Sequence, residues 1–190
     1  TRMLSSISAA AGRLLISEPF MMDPNFKRSV ILLTEYSEAG AMGFIWNHAS
    51  EYLLGDLMPD LSYSEIPVFI GGPVSGNTMH FIHRCPEKIE DGIEIADGIF
   101  WGGDFEAVKE LITSYSLNAD EIRFFTGYSG WTPQQLDNEI REDSWIVTNH
   151  SNPDTIFSPN DENSLWREAV IGLGNRYAHI ANFPENPSLN

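Results

Sequence analysis

The order of apolar and polar positions over the first part of the chain suits strands. Arg13-Leu14-Leu15-Ile16-Ser17 is a short apolar run and predicts a first strand. In residues 28–36, Val30-Ile31-Leu32-Leu33 is apolar without alternation, so both faces of that strand should be covered and it should lie centrally in a sheet. The turn residues Glu38-Ala39-Gly40-Ala41 separate it from Gly43-Phe44-Ile45-Trp46-Asn47, which predicts a hairpin. Val68-Phe69-Ile70 and Met79-His80-Phe81-Ile82-His83 predict a second strand pair around a Gly/Pro/Asn turn whose glycines supply positive φ. Residues 122–128 and 144–148 predict two further strands.

Three segments change to helical spacing. Asp104 can cap a helix over residues 104–115 that carries Phe105, Val108, Leu111, Ile112 and Tyr115 on one face. Thr132-Pro133-Gln134-Gln135 opens a second helix over 132–141, with Thr132 as cap, Pro133 in the first turn and Gln135 completing a capping box. A third helix over 161–172 follows Ser158-Pro159, buries Leu165, Trp166, Ala169, Val170 and Leu173, and stops near Gly172 or Gly174. Many strands with a few late helices predict an α+β fold built on a curved, mostly antiparallel sheet. No repeat or linker divides the chain, so residues 1–190 are read as one domain, loosely ordered over 1–11 and 183–190.

Composition narrows the function classes. At 190 residues the chain should bury roughly 70% of its unfolded surface, enough for an unstapled core. The 27 acidic against 11 basic residues give a formal net charge of −16. Nucleic-acid affinity rests largely on basic side chains that displace counterions from phosphates. Here the one adjacent basic pair is Lys27-Arg28, and residues 87–110 and 137–168 are strongly acidic. Direct nucleic-acid contact and attachment to an anionic membrane are therefore disfavoured. Cys85 is the single cysteine, so an internal disulfide is impossible and a reducing, cytoplasmic setting is expected. No apolar run is long enough for a membrane span, and the segment from Met3 to Ala11 is too broken for a signal peptide. Thr1 rather than Met at the start leaves further N-terminal residues open.

Three ordered motifs carry a family resemblance. Asp23-Pro24-Asn25-Phe26-Lys27-Arg28-Ser29-Val30, with Gly40-Ala41-Met42-Gly43 and Asn47, comes first. Gly71-Gly72-Pro73-Val74 follows. The third is Gly127-Tyr128-Ser129-Gly130-Trp131 with Pro133, Gln135, Leu136 and Glu139, then Trp145. In this order and spacing, from about residue 12 to about residue 175, the chain resembles the AlgH/YqgE family of bacterial proteins, which carry the label of transcriptional regulators. The resemblance implies a bent, bifurcated sheet closing into a pseudo-barrel with helices outside. Two departures stand out: His48-Ala49 follows Asn47 where Arg-Pro is usual, and Gln134 stands where Gly is usual.

Candidate chemistry is sparse. Gly127-Tyr128-Ser129-Gly130-Trp131, before a predicted helix, has the place of a nucleophile elbow, and Asp154 and His179 follow in triad order. Trp131 stands where the elbow needs a second glycine, so a tight turn anchored by a buried Trp is the simpler reading. His80, His83 and Cys85 fall short of a zinc set: an odd spacing on a strand points the two histidines to opposite faces, and a site needs three or four ligands. The loop at residues 71–78 lacks the following helix and Lys of a phosphate cradle. Asp137, Glu139, Glu142 and Asp143 read as a solvated helix face. The polar motif residues Asp23, Arg28, Asn47 and Gln135 remain, and with Gly72 and Tyr128 they form the candidate ligand site if their segments converge. Asp23 capping its own turn and Arg28 answering a carboxylate form the structural alternative. The expected protein is non-enzymatic, without cofactor or metal, acting through a protein partner or small ligand, possible rivals being an enzyme using a cleft at Asp23, Arg28 and Asn47 or a direct nucleic-acid binder.

Overall fold

The structure, a computed structural model, describes Ser5 and residues 7–149, 152–158 and 162–174. Its strands are β1 (Leu14–Ser17), β2 (Val30–Ser37), β3 (Gly40–Ile45), β4 (Ala49–Leu53), β5 (Pro67–Ile70), β6 (Val74–His83), β7 (Ile93–Ala96), β8 (Ile99–Trp101), β9 (Ile122–Trp131) and β10 (Trp145–Thr148). Helices α1 (Leu54–Leu57), α2 (Phe105–Thr113), α3 (Gln135–Arg141), α4 (Pro153–Ile156) and α5 (Glu162–Ile171) flank them. This is the expected α+β class with a mostly antiparallel sheet.

The strand order is β10-β1-β2-β3-β9-β6-β8-β7, with β4 and β5 branching off at β9. Strand β9 makes the fork. Its end, Ser129 to Trp131, pairs with Gly43 to Ala41 of β3. Its start pairs antiparallel with β6 and, over Phe124 to Thr126, parallel with β5. The bifurcation implied by the family resemblance is present. Among the described residues the ladder is open, with β10 and β7 at its ends, so the expected closure into a pseudo-barrel does not occur.

Strand β2 behaves as its sequence dictates. Val30 and Leu32 enter one core cluster, with Phe44, Trp46, Phe125 and Trp166, while Ile31 and Leu33 enter another, with Trp131, Leu136 and Trp145. A third cluster packs α2 against Val68, Phe81 and Phe124.

Two local expectations need correction. Strands β5 and β6 are not partners; β9 lies between them. The Gly71-Gly72 segment carries the chain across β9 in direct backbone contact, and a Cβ on Gly72 would sit 2.2 Å from the Tyr128 carbonyl oxygen. Only a glycine lets the two backbones cross so closely. Tyr115, expected on the buried face of α2, lies beyond the helix at φ +55° and is exposed. Asp104 does cap α2, accepting from the N–H groups of Glu106 and Ala107.

Candidate functional site

The sequence-derived candidates fall into three local arrangements. In the first, exposed Asp23 closes its own turn: its Oδ1 accepts from Asn25 N–H at 2.9 Å, as the Asp-Pro pattern suggested. Asn47, buried, donates from Nδ2 to the Arg28 carbonyl and accepts at Oδ1 from Val30 N–H, both at 2.9 Å. Arg28 has φ +52°, and its guanidinium carbon lies 5.0 Å from the Trp166 ring centroid. The second arrangement is the crossing of Gly72 and Tyr128 already described. In the third, Gln135 Oε1 accepts from Thr132 N–H at 3.0 Å. That is one half of the expected capping box. The helix begins three residues later than Thr132, after Gln134 at φ +70°, so Thr132 is not its cap.

Reactive side chains are withdrawn from solvent. Ser129 is fully buried within β9, and its hydroxyl donates to the Gly71 carbonyl at 3.0 Å. No strand-turn-helix elbow forms there, because β9 runs on to Trp131. His83 is fully buried; its Nδ1 accepts from Cys85 N–H at 3.2 Å, so Nε2 carries the proton and donates to the Gly102 carbonyl at 3.1 Å. Both ring nitrogens are thus committed, and burial lowers its pKa. Burial likewise pushes the Cys85 thiol up to about 11, aided by Glu121 and Glu87, leaving negligible thiolate at neutral pH. Ser29 Oγ and His48 Nε2 lie 3.3 Å apart, but Ser29 has no exposed surface.

One charged group has a different setting. Arg123, near the start of β9, donates from Nη1 to the Trp46 carbonyl at 2.6 Å. Its guanidinium carbon is 4.7 Å from the Trp46 ring centroid and 4.1 Å from that of Phe69. Burial lowers its pKa to about 10, which still leaves a cation at neutral pH. No carboxylate among the described residues forms an ion pair with it. No fully buried side-chain nitrogen among them lacks a partner, so the guanidinium nitrogens of Arg123 beyond Nη1 keep some solvent exposure, and Arg123 lines a cavity.

That cavity is a cleft of about 460 Å³, walled by Ile66, Pro67, Phe69, Ile122 and Phe157, with Asp120 also on its lining. Trp46 holds it together. Its indole N–H donates to the Ile156 carbonyl at 2.7 Å, and Phe157 packs edge-on against it at 5.1 Å. The end of α4 is thereby fixed as one wall, and Arg84 secures the same helix by an ion pair with Asp154. A second concavity of about 490 Å³ shares Ile66, Pro67 and Ala119 with the first and is flanked by Tyr63 and Tyr115. Sequence reasoning missed Arg123. Its signal was a lone arginine inside the otherwise apolar strand Ile122-Arg123-Phe124-Phe125 of a strongly acidic chain.

Among the described residues, fold and site together define an open, forked-sheet α+β architecture with an aromatic-lined cleft that holds Arg123. The chain belongs to the AlgH-like family, whose profile matches residues 14–178. It is 41% identical over 179 residues to a UPF0301 protein of Chlorobium limicola, covering 94% of this chain and 95% of that one. Against a UPF0301 protein of Parabacteroides distasonis it is 40% identical over 181 residues, covering 94% and 90%. The fold is shared with a crystal structure of a Corynebacterium diphtheriae protein, at TM-score 0.76 and 22% identity over 93% of this chain and 94% of that one. It is shared too with the solution structure of the AlgH protein of Pseudomonas aeruginosa, at TM-score 0.69 and 23% identity over 96% and 100%.

Proposed function

We propose that this chain is a non-enzymatic binding domain that receives a small ligand or a segment of a protein partner in the Arg123 cleft. The observation that carries the reading is the contrast between Arg123 and the reactive groups. Ser129, His83 and Cys85 are buried and hydrogen-bonded, whereas Arg123 lines an open cavity and has no ion-pair partner among the described residues. The cavity lies within the usual range for ligand sites, roughly 300–1,000 Å³, and combines apolar walls with one charged group. On this reading a regulatory role would be exercised through the bound ligand or partner rather than by direct contact with nucleic acid, because the net charge of −16 opposes it. A single buried cysteine suits a cytoplasmic setting.

A thermal-shift screen of small organic ligands tests the reading when run in parallel on Ala119→Trp. Ala119 is exposed and lines both concavities, so the indole fills the cleft from its rim. Ligands that raise the wild-type Tm should lose their effect on the variant. Stabilisation indifferent to Ala119→Trp would place binding elsewhere.

A further inference from the structure

We propose that the ligand of the Arg123 cleft is a carboxylate carried on an apolar body, an inference that rests on the binding-domain reading above. A guanidinium removed from bulk water strongly favours an anionic partner, since an uncompensated buried charge is costly. Among the described residues the chain supplies a carbonyl, Trp46 O, and two aromatic rings, but no carboxylate within ion-pair distance; Asp120 lines the cleft without pairing with Arg123. Two rings approach the guanidinium carbon and Nη1 is held by the Trp46 carbonyl, which leaves the Nε/Nη2 edge to a ligand. A planar carboxylate matches such an edge with two parallel hydrogen bonds.

Charge separates carboxylate from phosphate. Among the described residues Arg123 is the one basic residue on the cleft lining, Asp120 adds a carboxylate to that lining, and the chain is strongly acidic. One guanidinium balances a monoanion, whereas a dianion keeps an uncompensated negative charge on a lining that already carries Asp120. The walls specify the rest of the ligand. Ile66, Pro67, Phe69, Ile122 and Phe157 offer hydrocarbon and aromatic surface. The adjoining concavity past Ala119 leaves room for the apolar body to extend toward Tyr63 and Tyr115.

Two sources share this chemistry, a free organic acid and the C-terminus of an apolar peptide. Isothermal titration of the full chain with octanoate and octanamide, with the tripeptide acid N-acetyl-Ala-Leu-Phe and its amide, and with inorganic phosphate separates them. At least one acid should bind, and its amide should bind roughly tenfold to a hundredfold more weakly, the range for losing charge-assisted hydrogen bonds. Phosphate should not compete. Arg123→Met, which keeps the packing volume, should abolish the preference of acid over amide. Ala119→Trp should abolish binding without touching Arg123, so the two variants guard against misfolding in either. Octanoate alone binding identifies a free acid; the tripeptide acid alone identifies a chain terminus; each supports the carboxylate. Acid and amide binding alike, competition by phosphate, an acid preference that survives Arg123→Met, or no binding of either acid overturns it. If acid and amide bind alike and Ala119→Trp abolishes both, the cleft stands as the site and only the carboxylate assignment falls. Binding unaffected by Ala119→Trp removes both.

Discussion

Gln134 holds φ at +70°, a region L side chains enter at a cost of roughly 1–2 kcal/mol. Its side chain is exposed and caps nothing. Glycine relieves the steric cost but gives back part of it through a more flexible unfolded chain. Gln134→Gly should therefore stabilise the protein by about 0.5–1 kcal/mol, read as a raised urea midpoint. An unchanged or lowered midpoint would mean that the Gln134 side chain contributes more than its backbone costs. His83 makes a pH prediction of definite sign. Burial is the chief cause that lowers its folded pKa; the Gly102 hydrogen bond and Glu87 oppose this only in part. The unfolded chain thus takes up the proton first as pH falls, so the neutral imidazole's contribution to stability is complete above the ordinary histidine value and is lost as pH falls below it. Burial shifts His80 the same way. Urea midpoints measured from about pH 7.5 to about pH 5 should decline, with a shallower decline in His83→Phe. A flat profile in the wild type would contradict the buried neutral ring.

At the scale of elements, the segment Gly127 to Trp131 distinguishes an anchor from a nucleophile. Trp131 is buried, packs edge-on against Trp145 at 6.2 Å, and shares with it the Oε1 of Glu139, which accepts both indole N–H groups at 3.2 and 3.0 Å. Trp131→Ala should cost roughly 3–5 kcal/mol, the range for emptying a large aromatic site. Ser129→Ala should cost about 1 kcal/mol or less, because the Gly71 carbonyl it would abandon also accepts from Ile45 N–H at 2.8 Å. Chemical denaturation of the two variants checks the order; Ser129→Ala as the more damaging would overturn it. These elements were largely legible in the chain: the double-faced run Val30 to Leu33, the Asp104 cap and the apolar positions of α5 each declared themselves locally. Strand pairing did not. The partner of β5 and of β6 lies far along the sequence, and Gly71-Gly72 looked like a hairpin turn when its glycines serve a crossing over β9. Strands β4 and β7, short and with many exposed positions, and β8, only three residues long, carried too little alternation to be seen.

The whole molecule decides what the sequence could say about the site. Asn47 bonds to the Arg28 carbonyl and the Val30 N–H, the Arg28 guanidinium lies beside the Trp166 ring, and the candidates Gly72, Tyr128 and Gln135 serve separate local arrangements. Asp154 is in place at α4, while His179 lies outside the described residues. Arg123 reads in one dimension as a solvated strand residue. Only the fork of the sheet brings Phe69 from β5, the Trp46 carbonyl following β3 and Phe157 following α4 around it. The central claim is that this assembled cleft is where the protein binds. Its most direct test is the arginine Nε–H region of a ¹⁵N-labelled NMR spectrum during titration with octanoate and, separately, with the tripeptide acid. Binding of either through the cleft predicts that the Arg123 resonance shifts with saturation and that the other arginines stay in place. A ligand that binds while the Arg123 resonance does not move would contradict the account.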